Sequence, residues 1–260
     1  MSTMTKVVFL AFLAGFAAVH AESVDFTMTP ENGKPIVLPG ELEKPVGEGP
    51  FPAIVMLHGC AGPWPLRDEM WSRRMVDWGY VVLRVDSFGP RGFPEGICER
   101  IQSVDPSARA EDAHAAKRYL QKLTFIDGRK IGVMGMSHGG WATLLAVQNS
   151  YLVDTVRPDP FKAAVALYPW CEPRLYRLDA PLLILIGELD DWTPSSRCEG
   201  MSLKDPLNQE VTLKVYPDTT HDFDVPGMDK EVLGHVLKYN PKAAEDAQAR
   251  IKAFLAEHLR

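Results

Sequence analysis

The sequence predicts one α/β domain built on a mostly parallel, doubly wound sheet flanked by helices. Three observations carry that reading. Short, continuous apolar runs alternate with helix-like stretches after residue 50. Each run ends in glycine or in polar residues capable of chemistry. The chain has 260 residues, enough for one large α/β domain with a full core. Apolar runs of this kind, separated by helices, are strands covered on both faces.

The elements follow in order. Val24 to Met28 and Pro35 to Leu38 read as an antiparallel opening hairpin. Ala53 to Leu57 is an apolar strand that runs into His58-Gly59-Cys60. A helix-like stretch from Glu69 to Trp78 leads to the strand Tyr80 to Val85, which ends at Asp86-Ser87-Phe88. A long helix from about Ala108 to Leu123 precedes the strand Ile131 to Met134, and Trp141 to Val147 reads as the next helix. Ala163 to Leu167, Leu182 to Ile186 and Val211 to Val215 complete the strands, and an amphipathic helix from Pro241 to Leu259 closes the chain. In open parallel sheets the ligand crevice forms at the carboxyl ends of the strands. His58, Asp86, Ser137, Trp170, Asp190 and His221 all fall at such ends.

The first residues have a different character. Lys6 is the only charge before Glu22, Val7 to Ala18 is apolar, and Val19-His20-Ala21 places small residues at the −3 and −1 positions. This is the pattern of a secretory signal, residues 1–21, cleaved after Ala21. The alternative is a membrane anchor, but the run is shorter than the roughly 20 residues a spanning helix needs. The domain then occupies residues 22–260, with a periplasmic or secreted location and no stable membrane span. The formal net charge of −6 argues against a nucleic-acid partner, which would call for a basic face. Composition says nothing about oligomeric state.

Gly135-Met136-Ser137-His138-Gly139 matches G-x-S-x-G between a strand and a helix. That pattern marks a sharp turn that holds a serine hydroxyl exposed at the top of a sheet. The alternative is a glycine-rich turn with a capping serine. A serine needs a base, and His221 lies just past the last strand, with His235 as second choice. His58 more often fixes its loop, His138 should point away from the serine, and His114 and His258 sit on helices in solvent. The base needs an orienting acid. Asp190, after Ile184-Leu185-Ile186-Gly187, is the candidate, with Asp191 as alternative. Ser137, Asp190 and His221 fall in the chain order of the α/β-hydrolase fold. The backbone N–H groups of Cys60 and His138 are the expected oxyanion hole. No zinc-binding spacing accompanies the cysteines or histidines, so the sequence predicts neither a metal nor a cofactor.

Taken together, Leu57-His58-Gly59-Cys60, Val85 to Gly92, Gly135 to Gly140, Tyr168-Pro169-Trp170-Cys171, Gly187 to Pro194 and His221-Asp222-Phe223 resemble the dienelactone hydrolase family, from about residue 35 to the C-terminus. The resemblance implies hydrolysis of esters or lactones through an acyl-enzyme, without cofactor. The founding enzymes use cysteine where this chain has Ser137, which makes it a serine-nucleophile member. Amide or peptide hydrolysis on the same fold is the alternative activity, and a noncatalytic binding protein a more distant one.

Pro169 to Pro181 is too short for a helical cap, so loops must wall the site and small soluble esters or lactones are the expected substrates. Arg91, Phe93, Trp170, Trp192 and Phe223 are the candidate wall, with Arg91 either holding a substrate carboxylate or serving a structural ion pair. The four cysteines form an even set in an exported chain. Strand adjacency in this fold pairs Cys60 with Cys98 and Cys171 with Cys198; the alternative is four buried thiols.

Overall fold

The computed structural model describes residues 21–30, 33–148, 159–173, 178–201 and 210–260. The expected signal segment, apart from Ala21, lies outside the described residues.

Eight strands form one sheet. They are β1 (Glu22–Met28), β2 (Ile36–Glu43), β3 (Phe51–Leu57), β4 (Val81–Val85), β5 (Ile126–Met136), β6 (Ala164–Leu167), β7 (Leu182–Gly187) and β8 (Val211–Tyr216), in the spatial order β1-β2-β4-β3-β5-β6-β7-β8. β1 and β2 form the expected antiparallel hairpin, and β2 also runs antiparallel to β4. Every pairing from β4 to β8 is parallel. The reason is in the composition: β6 (Ala-Val-Ala-Leu) and β7 (Leu-Leu-Ile-Leu-Ile-Gly) are buried along their whole length, as strands covered on both faces must be.

The flanking helices are α1 (Pro65–Asp77), α2 (Pro106–Leu120), α3 (His138–Ala146), α4 (Ser195–Glu199) and α5 (Pro241–Leu259). Their starts are written locally. Pro65, Pro106 and Pro241 occupy the first helical position, where a missing N–H costs nothing. Asp105 caps α2 by accepting from the Ser107 N–H, and Asn240 caps α5 by accepting from Ala243. Ala243, Ala247, Ile251, Phe254 and Leu255 recur at helical spacing and form the buried face of α5. Among the described residues, no helix lies between β6 and β7.

One element was not expected. β9 (Asp229–Val232) and β10 (His235–Lys238) form a separate antiparallel hairpin, joined by Leu233-Gly234 with both residues at positive φ. That backbone suits a two-residue primed turn, but Leu-Gly is a weak sequence signal for it beside Asn-Gly or Asp-Gly.

The chain order places the site. After β3 the chain moves to β4 on one side and then crosses to β5 on the other. The loops that follow β3 and β5 therefore leave the sheet side by side at the point where its winding reverses. Leu57 pairs with Gly135 in register, so Cys60 and Ser137 emerge together.

Cys60 is joined to Cys98, and Cys171 to Cys198. The links close loops with sequence separations of 38 and 27 residues. Loop entropy gives roughly 4 kcal/mol for each. Denatured but unreduced protein should therefore show no reactive thiol, and peptide mapping should recover these two pairs. Four titratable thiols would contradict the pairing.

Candidate active site

Ser137 sits at φ 54 and ψ −118, a conformation L-residues avoid. Holding a non-glycine residue there costs about 1–3 kcal/mol and persists only where the surroundings enforce it. Here the surroundings are specific. The Ser137 N–H donates to Leu167 O at 2.9 Å, and Ser137 O accepts from the Trp141 N–H at 3.0 Å, so the residue is tied to β6 and α3. The flanking glycines are required by space. A Cβ on Gly135 would stand 2.1 Å from Gly139 O, and one on Gly139 would stand 2.2 Å from Leu57 O. The turn thus crosses β3 at backbone contact and leaves the Ser137 side chain outward.

A second crossing brings in the histidine. Loops after β7 and β8 are stitched together: Glu188 N–H donates to Tyr216 O at 2.8 Å and Leu189 N–H to Thr219 O at 2.9 Å. His221 Nδ1 then lies 2.7 Å from Asp190 Oδ2. Asp190 is 3% exposed. Its Oδ1 accepts from the Trp192 and Thr193 N–H groups at 3.0 and 2.8 Å, and the Thr193 hydroxyl sits 2.9 Å from Oδ2. With Nδ1 committed to the carboxylate, Nε2 is the nitrogen left for a partner. Burial alone would lower the His221 pKa, but the charge of Asp190 and its hydrogen bond outweigh burial and raise it.

The two second choices from the sequence pair with each other. Asp191 is half-exposed, and its carboxylate lies 3.3 Å from His235 Nδ1. Trp192 stands between the two histidines, 4.7 Å from the His235 ring in a stacked arrangement and 5.5 Å from the His221 ring.

Ser137 and His221 line one cavity of about 210 Å³. Gly59, Cys60 and Ala61 form one side, with Cys98 beside its disulfide partner. Trp64 and Arg67 come from the start of α1, Trp192 and Asp222 from the acid and histidine loops, and Lys230, Val232 and Leu237 from the β9–β10 hairpin. Among the described residues, neither the Cys60 nor the His138 backbone N–H donates to another protein group. His138 is the first residue of α3, where N–H groups have no intrahelical partner.

Several expected wall residues lie elsewhere. Arg91 makes a two-pronged ion pair with Asp112, both contacts at 2.8 Å, and donates to Ser87 O at 2.6 Å. It serves the structural role, because a buried carboxylate claims both prongs of its guanidinium. Phe93 packs against the Phe88, Ile97 and Cys60 cluster and is not among the cavity-lining residues. Trp170 lies against Trp141 and under the Arg197 guanidinium at 3.8 Å. Phe223 is 0% exposed, packed between Tyr168 and Tyr216 in the core. Of the five, Trp192 alone lines the cavity. The histidines expected in solvent also differ: His114 is buried, with Nε2 2.9 Å from Ala146 O, and His258 is half-buried against Phe254.

Sequence reading missed Arg67. It is buried and bonded to Asp68 at 3.1 Å and Asp222 at 3.2 Å, its Nη2 is buried with no protein partner, and the residue contributes to the cavity lining. Nothing in the pattern Pro65-Leu66-Arg67-Asp68 announces this, since the contact with Asp222 spans 155 residues. Two carboxylates offset its charge. Among the described residues one grouping has metal-ligand spacing, Glu210, Glu257 and His258. Glu210 precedes β8, at the end of the sheet opposite the cavity.

A profile of the dienelactone hydrolase family matches residues 38–259. The chain belongs to the dienelactone hydrolase family. Within it, the cavity falls at the switch point where the fold places ligands. This family member is similar to a cutinase of Thermobifida alba, 28% identical with 84% of this chain and 82% of that protein covered. It is also similar to acylamino-acid-releasing enzyme 2 of Oryza sativa subsp. japonica, 25% identical over 76% of this chain. The chain spans only 31% of that relative's length. Among solved structures, a dienelactone hydrolase-like promiscuous phosphotriesterase from metagenomic libraries superposes with a TM-score of 0.73. That likeness covers 93% of this chain and 100% of the other at 17% identity, and it shows the fold.

The crossing at Gly139 generates a direct expectation. Gly139→Ala forces a methyl group into the Leu57 carbonyl, a rigid backbone neighbour. The variant should lose about 3 kcal/mol or more in urea unfolding, at the upper end of overpacking costs. Wild-type stability would show that the turn does not cross β3 this closely.

Proposed function

We propose that this protein is a serine hydrolase that cleaves small carboxylic esters or lactones through an acyl-enzyme. The observation that carries the reading is the 2.7 Å His221–Asp190 contact facing the same cavity as a serine held in a strained turn. In this reading His221 Nε2 takes the Ser137 proton as Oγ attacks the carbonyl carbon. Asp190 holds the imidazole in the Nδ1–H tautomer and stabilises the imidazolium. The Cys60 and His138 N–H groups receive the oxyanion, and the alcohol leaves with the proton from His221. Water, deprotonated by the same histidine, then releases the acid and restores Ser137. No step calls on a metal or cofactor.

Substrate size follows from the cavity. About 210 Å³ is below the roughly 300–1,000 Å³ of drug-sized ligand sites. Its walls include Trp64, Trp192, Val232 and Leu237, with Arg67, Asp222 and Lys230 as the charged residues. The match to an acylamino-acid-releasing enzyme favours a second reading, amide hydrolysis by the same residues. A panel of p-nitrophenyl esters, lactones and p-nitroanilides separates the two. We also infer export to an oxidising compartment, with residues 1–21 as the signal; the two disulfides support it, since such links persist outside the reducing cytosol. No helix among the described residues is long and apolar enough to cross a membrane.

Ser137→Ala and His221→Ala should each reduce p-nitrophenyl acetate turnover by a factor on the order of 10⁴ or more while the fold persists. Asp190→Asn should cost a comparable factor and Asp191→Asn little, because only Asp190 touches the histidine. The pH profile of kcat/KM should rise with increasing pH through an apparent pKa above the ordinary histidine value, since His221 must be neutral to act as base and its pKa is raised. Undiminished turnover in Ser137→Ala would defeat the assignment.

Chain length gives an independent check. Acetate or butyrate esters should exceed palmitate by a wide margin in kcat/KM, with no activation at an oil interface. A preference for palmitate would show that the cavity does not limit the acyl chain.

A further inference from the structure

Arg109, on α2, is 0% exposed. A buried cation is costly unless a carboxylate lies against it. The nearest acid on its own helix, Asp112, is taken by Arg91 through both oxygens. Among the described residues no carboxylate lies within ion-pair distance of Arg109, and burial pushes its pKa down to about 9. An arginine in this position needs a reason beyond charge balance.

Its hydrogen bonds supply one. Nη2 donates to His58 O at 2.7 Å, and Nη1 lies 2.8 Å from His138 Nδ1. The guanidinium also lies over the Phe88 ring at 4.7 Å, which fixes its plane. Burial, with Arg109 beside it, drives the His138 pKa to about 3, so that ring is neutral and its Nδ1 accepts from Nη1. The two contacts land on different chain segments. His58 precedes Cys60 by two residues after β3, and His138 follows Ser137 at the start of α3.

His58 extends the first contact toward Cys60. Its Nε2 accepts from the Ser87 N–H at 3.3 Å, which leaves the proton on Nδ1, 2.8 Å from Gly59 O. Gly59 O also accepts from the Gly62 N–H at 3.3 Å. The trans peptide is planar, so its C=O and N–H point in opposite directions. Anchoring Gly59 O on the protein side therefore aims the Cys60 N–H the other way. Arg109 holds the preceding carbonyl, so both peptides of the His58-Gly59-Cys60 segment are fixed.

We propose that Arg109 is a positioning residue for the oxyanion hole, its single guanidinium fork spanning the two segments that carry the Cys60 and His138 amides and setting their separation. The proposal rests on the reading of those two amides as the oxyanion donors. Arginine suits the task because its planar fork reaches two acceptors at once, whereas a lysine ammonium is a point donor on a flexible stem. Donors to an oxyanion act within a narrow range of distances, so loosening the span should act on the chemical step more than on ground-state binding.

The test compares Arg109→Met and Arg109→Lys with wild type and with Arg73→Met, an exposed surface control. Rates with p-nitrophenyl acetate are taken per active site, counted by stoichiometric labelling with an organophosphate, so that misfolded protein does not enter. Arg109→Met should lower kcat per site by about 10²-fold, the cost of losing one oxyanion donor, with KM changed by less than about threefold. Arg109→Lys should recover part of the loss, and Arg73→Met should match wild type. Amide hydrogen exchange at Cys60 and His138 should speed up in Arg109→Met. Unchanged kcat per site, with loss only of yield or melting temperature, would reduce Arg109 to a packing role and overturn the proposal. If Arg109→Met does not fold, the lysine variant decides, and a normal kcat there overturns it. If the wild type proves to have no esterase activity, the hydrolase reading fails separately, and unchanged exchange at the two amides overturns the clamp on its own.

Discussion

At the centre of this molecule two backbones meet with no room for a side chain between them. The turn from β5 into α3 crosses the end of β3 so closely that Gly139 faces the Leu57 carbonyl directly and Gly135 faces Gly139. Everything at the site depends on that contact. It holds Ser137 at positive φ on the lining of the cavity. It also sets the loop after β3, with Gly59 and Cys60, beside the start of α3. Conformational strain of about 1–3 kcal/mol at one residue is small against the packing of a sheet whose central strands are buried, so the sheet can hold the turn in place.

A similar device farther along the sheet places His221 on the cavity that Ser137 lines. A Cβ on Gly187 would stand 2.1 Å from Thr219 O, so the loops after β7 and β8 also touch backbone to backbone. Asp190 is locked by two N–H groups and a threonine hydroxyl, and His221 packs edge-on against Tyr168 at 4.6 Å. Behind the cavity, buried polar groups tie the loops to one another: Arg67 to Asp68 and Asp222, Trp71 to Asp224, Arg109 to His58 and His138. Their placement links α1 and α2 to the strand ends and makes the site rigid before a substrate arrives.

What the sequence made legible was what is local. The apolar runs, the prolines at helix starts and the G-x-S-x-G turn each carry their reason within a few neighbours, and the strands, helices and elbow fell where those signals stood. That Asp190 rather than Asp191 lies against His221 also has a local cause, an offset of one residue on a turn. The cavity wall was not legible. Arg91, Phe93, Trp170 and Phe223 have the right residue types at strand ends, yet each is claimed by a partner that periodicity does not reveal: Asp112, Phe88, Arg197 and Tyr168. The residues that do form the wall, Trp64, Arg67 and the β9–β10 hairpin, come from segments with weak turn signals and contacts far apart in sequence.

The proposed chemistry at the switch-point cavity turns on Ser137 as the residue whose oxygen attacks. The most direct measurement is to inactivate the full-length protein with diethyl p-nitrophenyl phosphate and locate the phosphoryl group by peptide mass spectrometry. One group per chain is expected, on Ser137, acquired in step with loss of esterase activity. An active protein that becomes labelled on another residue, or that loses activity with Ser137 unmodified, would contradict it.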